Sequence, residues 1–323
     1  MRRRIAMYFA WDRAAEVAAP LGILDNRFPA LFEVRRLFWP RYEVLADPEC
    51  YDQGIDGFLE QIFLENFRRF TQLVQVWTGY PVQIVHRRWQ AKTVLLDPRW
   101  LSQIDTLIII SFDGPQSCQK VTPAELTAVG DFLDDPAHTV FVCPHHDIGD
   151  THDMPVKEAS DQQKIEFDHH GDKAVPGQQR FGGFALSLMR GLDLPIRNRF
   201  GLRPAQGPDG TPAPVELTAL DRRGLLAGVQ TLNVHPHLPH FERLEGSREL
   251  LEVLVRQSID PTAPPHPFCA VGHTQFDAML QATPAAAAGS LIVADATLWS
   301  STAGGTQSLE KLWCNVALAQ SVG

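Results

Sequence analysis

The chain has 323 residues, 44% of them hydrophobic and 21% charged, which is enough apolar material for a substantial core and rules out a disordered chain. Its formal net charge of -9 excludes a general nucleic-acid or anionic-membrane binder, since both need a positive surface potential, and leaves a small molecule as the expected ligand.

Five cysteines, at 50, 118, 143, 269 and 314, are odd in number and widely spaced, with no CxxC pair. That usage predicts reduced thiols and a cytoplasmic location. Met1-Arg2-Arg3-Arg4 looks like a charged leader, but the apolar run Ile5 to Trp11 stops at Asp12 and is too short for a signal peptide. No stretch approaches the ~20 apolar residues of a membrane span. A homo-oligomer is left open.

In chain order, Arg4 to Ala10 predicts a first buried strand. Apolar residues from Phe28 to Phe38 recur at helical spacing over Asn26 to Phe38, and Pro40 closes that helix. Tyr42 to Ala46 is a short strand. Gly57 to Trp77 carries Leu59, Ile62, Phe63, Phe67, Phe70, Leu73, Val74 and Trp77 at intervals of three and four, a long amphipathic helix whose aromatic stripe faces the core. Pro81 to His86 and Lys92 to Leu96 suit a strand pair. Asp105 to Ser111 (DTLIIIS) is a near-continuous apolar strand, and Thr122-Pro123-Ala124-Glu125 starts a helix with Thr122 as N-cap and Glu125 in the capping-box position. A strand follows at Thr139 to Cys143. Strands buried on both faces and separated by helices imply a mostly parallel, doubly wound sheet.

Further on, Gly183 to Arg190 is a helix capped by Gly191, Pro204 to Pro214 a Gly/Pro loop, Arg248 to Gln257 an apolar helix, and Ser290 to Ala294 a buried strand ending at Asp295. The whole reads as one α/β domain over 1–323 with a loop-rich insertion around 147–225. No internal repeat, coiled coil, P-loop or GxGxxG is present.

Histidines gather after two of the predicted strands. Thr139 to Cys143 delivers Cys143, His145, His146 and Asp147, and a second knot at Asp168 to Asp172 adds His169 and His170. The run 228–240 brings His235, His237 and His240. Imidazole and carboxylate are the donors that divalent transition metals take, and strand C-terminal ends are where an α/β sheet binds ligands. Neighbouring side chains in extended chain point to opposite faces, so one member of each His-His pair aims into a common cavity. The alternative is a solvated, His-rich polar loop, with Cys143 a buried structural thiol. At Ser300 to Gly305, a turn before the last helix, backbone donors suit an anionic substrate group.

The run DTLIIISFDGPQS, the helix ending DFLDDP, TVFVCPHHD, and GVQTLNVHPHLPH at 228–240 together resemble the core of the class I glutamine amidotransferase-like superfamily. The resemblance implies a three-layer α/β fold, flavodoxin-like or glutamine amidotransferase-like, with elaborated loops. It places Cys143 on the nucleophile, His235 on the general base, and Asp113-Gly114-Pro115 on the oxyanion loop. Phe141 and His145 stand where the nucleophile elbow takes small residues, and His237 replaces the acid of His-Pro-Glu. The fold is therefore expected with a degenerate catalytic motif.

Three functions follow. The first is a metal-dependent hydrolase of an amide, other C–N or ester bond, with His145, Asp147, His169 and His235 holding zinc or a similar ion, and Asp172 or His237 moving the proton. The second is a Cys143/His235 amidase whose loop at Asp113 and Gly114 stabilises the oxyanion. The third is a non-catalytic small-molecule-binding or subunit-interface module. In each, Asp113, Gly114, Ser300 and Gly305 are expected to face the ligand.

Overall fold

The structure, a computed structural model, describes residues 2–17, 64–89, 92–113, 119–145 and 183–318, with a few positions between 155 and 165. Its strands are β1 (Ile5–Asp12), β2 (Gln83–Trp89), β3 (Lys92–Thr93), β4 (Thr106–Ser111), β5 (Thr139–Pro144), β6 (Ile196–Leu202), β7 (Glu216–Leu217), β8 (Leu238–Arg243), β9 (Leu251–Ser258), β10 (Gln275–Ala282) and β11 (Ser290–Ala294). Nine of them form one sheet in the order β3-β2-β1-β4-β5-β11-β10-β9-β7, while β6 and β8 form a separate antiparallel ribbon.

The centre of the sheet is parallel, as the apolar runs predict. Each of β1, β4 and β5 is buried along its whole length. Strands β4 and β5 pair parallel from Thr106↔Thr139 to Ser111↔Pro144, and β1, β2 and β11 extend the parallel block. The connection from β4 to β5 is the helix Pro123–Leu133, and its capping box is present: Thr122 accepts from the Glu125 amide while Glu125 accepts from the Thr122 amide.

Alternate residues of each strand enter opposite layers. Met7, Phe9, Ile108, Ile110 and Phe141 pack with the helices Arg68–Thr78 and Thr306–Leu318, whereas Tyr8, Leu107, Ile109, Val140 and Val142 pack with Pro123–Leu133 and Gly183–Gly191. The result is helix, sheet, helix. Each large apolar side chain buried in this way contributes about 1.5–3 kcal/mol.

Two expectations are corrected beyond the parallel block. Arg248 to Gln257 is no helix: β9 runs through it and pairs antiparallel with β10, which in turn pairs antiparallel with β11. Leu251, Val253 and Val255 are buried, and so is Leu254 between them. A strand covered on both faces has a continuous apolar run, which periodicity cannot separate from a buried helix; the two valines are the strand-forming signal. The segment before His235 is also no strand, because 229–235 is irregular and β8 begins only at Leu238.

The described part of the aromatic helix is a 3-10 turn at Leu64–Phe67 and the α-helix Arg68–Thr78, closed by Gly79 at φ 78°. Phe70 meets Trp299 and Trp313 edge-to-face, at centroid distances of 5.0 and 5.7 Å, so the stripe is core as expected. The predicted elements at Asn26 to Phe38 and Tyr42 to Ala46, and the start of the aromatic helix before Leu64, lie outside the described residues. Among the described residues no helix is long and apolar enough to cross a membrane.

His266 makes the fold sensitive to acid. It is 2% exposed and caps the short helix Pro267–Ala270, its Nδ1 accepting from the Phe268 amide at 3.0 Å. Burial lowers its pKa from 6.5 to about 4. The unfolded chain therefore binds a proton that the folded chain does not, and stability is lost as pH falls from 6.5 towards 4, by up to roughly 3 kcal/mol. Urea unfolding across that window should show the slope in the wild type and a flatter profile in His266→Asn, which keeps a capping oxygen.

Candidate functional site

The C-terminal ends of β4, β5 and β11 lie side by side, because those strands are parallel neighbours. At the end of β4, Ser111 and Asp113 are buried and serve the start of helix Gly183–Gly191. Asp113 Oδ1 accepts from Ser111 Oγ at 2.6 Å, Asp113 Oδ2 accepts from the Phe184 amide at 2.9 Å, and Ser111 Oγ accepts from the Ala185 amide at 3.0 Å. A Cβ on Gly183 would lie 2.6 Å from Asp113 Oδ2, so only glycine lets the cap approach. Asp113 thus caps that helix, and Gly114 and Pro115, the rest of the expected oxyanion loop, lie outside the described residues.

At the end of β5, Cys143 is fully buried and its sulfur accepts from Trp299 Nε1 at 3.2 Å. Burial pushes the thiol far above its ordinary range, and the charge of Asp295 pushes in the same direction. A nucleophilic cysteine needs the opposite environment. Cys143 sits as a buried thiol bonded to Trp299, the placement expected of the structural alternative. Alkylation of the native protein followed by mass spectrometry should label Cys269 and Cys314, both partly exposed, before Cys143. Rapid, selective labelling of Cys143 would restore the amidase.

Two residues on, His145 is 8% exposed, packs its ring on Phe112 at 4.7 Å, and is fixed through its carbonyl, which accepts from Asn198 Nδ2 at 3.0 Å. The adjacent strand end contributes Asp295, which is 4% exposed. Its Oδ1 accepts from the Thr297 amide at 2.9 Å and from the Thr297 hydroxyl, which in turn accepts from Asn233 Nδ2 at 2.9 Å. Asn233 also accepts the His235 amide. This chain of bonds ties the 233–237 loop to the end of β11. On that loop the rings of His235 and His237 stack at 4.4 Å, with His237 buried and His235 half-buried beside exposed Pro236.

Electrostatics join the two strand ends. Burial raises the pKa of Asp295, opposed by the charge of His145, by the Thr297 bonds and by the charge of His235. The site residue that the sequence reading missed is Asp295, noted there only as a strand terminus. Its signal was present: a lone carboxylate closing SLIVA stands where an α/β sheet binds ligands.

Of the nominated metal ligands, His145 and His235 come to this edge, while Asp147 and His169, with the proton carrier Asp172, lie outside the described residues. Among the described residues no group of three or more His, Cys, Asp or Glu side chains is placed to hold a metal. Ser300 is buried and its hydroxyl is bonded to Thr302 at 2.8 Å. Gly305, at φ 65°, lies so close to Leu232 that a Cβ would come within 2.5 Å of the Leu232 carbonyl oxygen. That turn packs the 232–234 loop in place, with the Val234 amide donating to Ala303, and so supports His235 from behind.

No protein-family model matches the chain, and no curated protein matches it. Among solved structures it is similar to an exo-beta-1,4-mannosidase, Op5Man5 from Opitutaceae bacterium strain TAV5, with 12% identity and a TM-score of 0.33. The match covers 98% of this chain and 36% of the mannosidase chain, so this chain spans about a third of that enzyme's length.

Proposed function

We propose that the chain is a hydrolase of a small molecule, acting on an amide, other C–N or ester bond at the C-terminal edge of the sheet. The observation that supports this is the buried carboxyl of Asp295 at the end of β11, beside the end of β5 that leads to His145 and tied through Thr297 and Asn233 to the loop that carries His235. Buried titratable groups that shift one another's proton affinity are the usual mark of acid–base chemistry. In this reading His235, open to solvent on one side, takes a proton from water as the water attacks the carbonyl carbon. Asp295, whose proton affinity burial raises, gives its proton to the leaving nitrogen or oxygen, and proton return from His235 resets the pair. His237, stacked on His235, holds the imidazole in place.

A divalent ion belongs to the same reading. His145 and His235 are the described donors for it, and zinc fits their chemistry; Asp147 and His169, the other nominated ligands, would have to supply the rest. A bound ion would contribute a water of lowered pKa.

Protein purified without added metal, subjected to elemental analysis and assayed on nitrophenyl esters and nitroanilides with and without chelator, tests both forms. Hydrolysis above background that survives chelation supports the acid–base site, and hydrolysis lost with a stoichiometric ion supports the metal form. No hydrolysis of any substrate overturns both in favour of the non-catalytic binding module.

A further inference from the structure

A second concavity, of about 570 Å³, lies between the β6–β8 ribbon and the start of β10, where His273 to Asp277 enter the sheet. Strand β10 runs antiparallel to β11, so the cleft flanks the same edge, but His145, His235 and Asp295 are not in its wall. Nothing in the proposed hydrolytic chemistry uses it. Its wall combines three features. One is an aromatic surface: the ring of Phe268 lies 5.1 Å from Phe200 and stacks on His273 at 4.3 Å and 19°. The second is a pair of fixed donor–acceptor couples, Arg256 Nε on Asp277 Oδ1 at 2.8 Å and Arg199 on Glu242 Oε2 at 3.3 Å. The third is His240, whose Nδ1 accepts from the Asp277 amide at 3.1 Å, so that the neutral ring carries its proton on Nε2.

The backbone is shaped for this cleft. β6 and β8 lose register between Arg199 and Gly201, and Phe200, in that break, has φ 60°. A left-handed conformation is unfavourable for a residue with a bulky side chain, and a bulge re-aims the side chain it carries. Here the break turns Phe200 onto Phe268 and the cleft rather than along the ribbon.

The charges indicate the kind of ligand. Each guanidinium is already matched by a carboxylate, and burial keeps His240 neutral, so the cleft attracts neither an anion nor a cation by net field. A neutral ligand with one apolar face and several hydroxyls fits instead. A guanidinium beside a carboxylate presents a donor next to an acceptor, the arrangement that two vicinal hydroxyls satisfy together, and an aromatic ring takes the C–H face of a pyranose. A nucleobase has its polar groups on one edge and makes poorer use of two couples on different strands. The geometry points to a binding site for a neutral saccharide unit, seated on Phe268 and Phe200 and hydrogen-bonded to the Arg256–Asp277 and Arg199–Glu242 couples.

Saturation-transfer NMR with a panel of methyl pyranosides, and with adenosine and uridine in parallel, tests this on the full chain. Imidazole C–H shifts of His240 and His273 report where the probe sits. At least one pyranoside should bind in the millimolar range and move both imidazoles, and Phe268→Ala and Arg199→Met should each weaken it about tenfold while circular dichroism stays unchanged. Asp295→Asn, at the other site, should leave binding intact. The assignment is overturned if no pyranoside shifts either imidazole up to about 50 mM, if the wild type and Phe268→Ala bind equally, or if a nucleoside binds more tightly than every pyranoside.

Discussion

Replacing Glu125 by Ala is expected to destabilise the protein by about 3–5 kcal/mol, because it leaves the Arg87 guanidinium buried without its counter-ion. The side chains are 0% and 6% exposed, and they are directly bonded. Glu125 does more than pair: one oxygen takes the Thr122 amide and hydroxyl at 3.0 and 2.9 Å, while the other faces Arg87, the Tyr8 hydroxyl and the Leu96 amide. It thereby ties the start of helix Pro123–Leu133 to β1 and β2. Arg87 in turn donates to Gln119 Oε1 at 2.9 Å and to the Lys120 carbonyl at 3.1 Å. At ~2–4 °C per kcal/mol, the thermal midpoint should fall by about 6–20 °C. The double variant Arg87→Met/Glu125→Leu should recover much of the loss, since removing both charges also removes their desolvation cost. A single variant costing less than about 1 kcal/mol would mean that water reaches the pair.

Asp295→Asn is expected to lower turnover by about 10²–10⁴ while leaving the fold intact, the usual range for removal of a positioned acid or base. The amide keeps an oxygen for the Thr297 amide and hydroxyl, so the turn after β11 is preserved. His235→Ala should lose a similar factor. The double variant should fall little below the worse single one, because an acid and a base that act in one step are not additive. Stability should move the other way. A carboxyl whose folded pKa is raised holds its proton more tightly in the folded state, so stability falls as pH rises from its unfolded value through the folded one. Asp295→Asn removes that penalty and should be at least as stable as the wild type at neutral pH. A variant that loses activity by unfolding would show the reverse.

Local signals were legible in the sequence wherever one physical rule dominated. DTLIIIS and TVFVC are short, β-branched apolar runs that suit strands buried on both faces, and Thr122-Pro-Ala-Glu125 carries a capping-box helix start between them, which together place β4 and β5 parallel at the centre of the sheet. The antiparallel half was not legible. LEVLVRQS satisfies both periods, and its pairing with β10 is a long-range choice that no local residue announces. The edge at β5 was found for its histidines, and His145 and the loop of His235 do come to the neighbouring strand ends, the loop tied to Asp295 through Asn233 and Thr297. That carboxyl itself was passed over because a lone aspartate after a strand is common, and its meaning comes from burial. The resemblance to amidotransferases put Cys143 at a reactive position, but Trp299 and the core enclose it, as Phe141 and His145 in the elbow positions foreshadowed.

The most direct test of the account is a carboxyl-carbon NMR titration of Asp295, in the wild type and in His145→Ala and His235→Ala. The account predicts that Asp295 protonates above the ordinary carboxylate range and that removing either histidine raises its pKa further, since each imidazolium favours the charged carboxylate. An Asp295 that titrates at an ordinary value and ignores both substitutions would contradict it, leaving these three side chains as separate groups along the edge of the sheet.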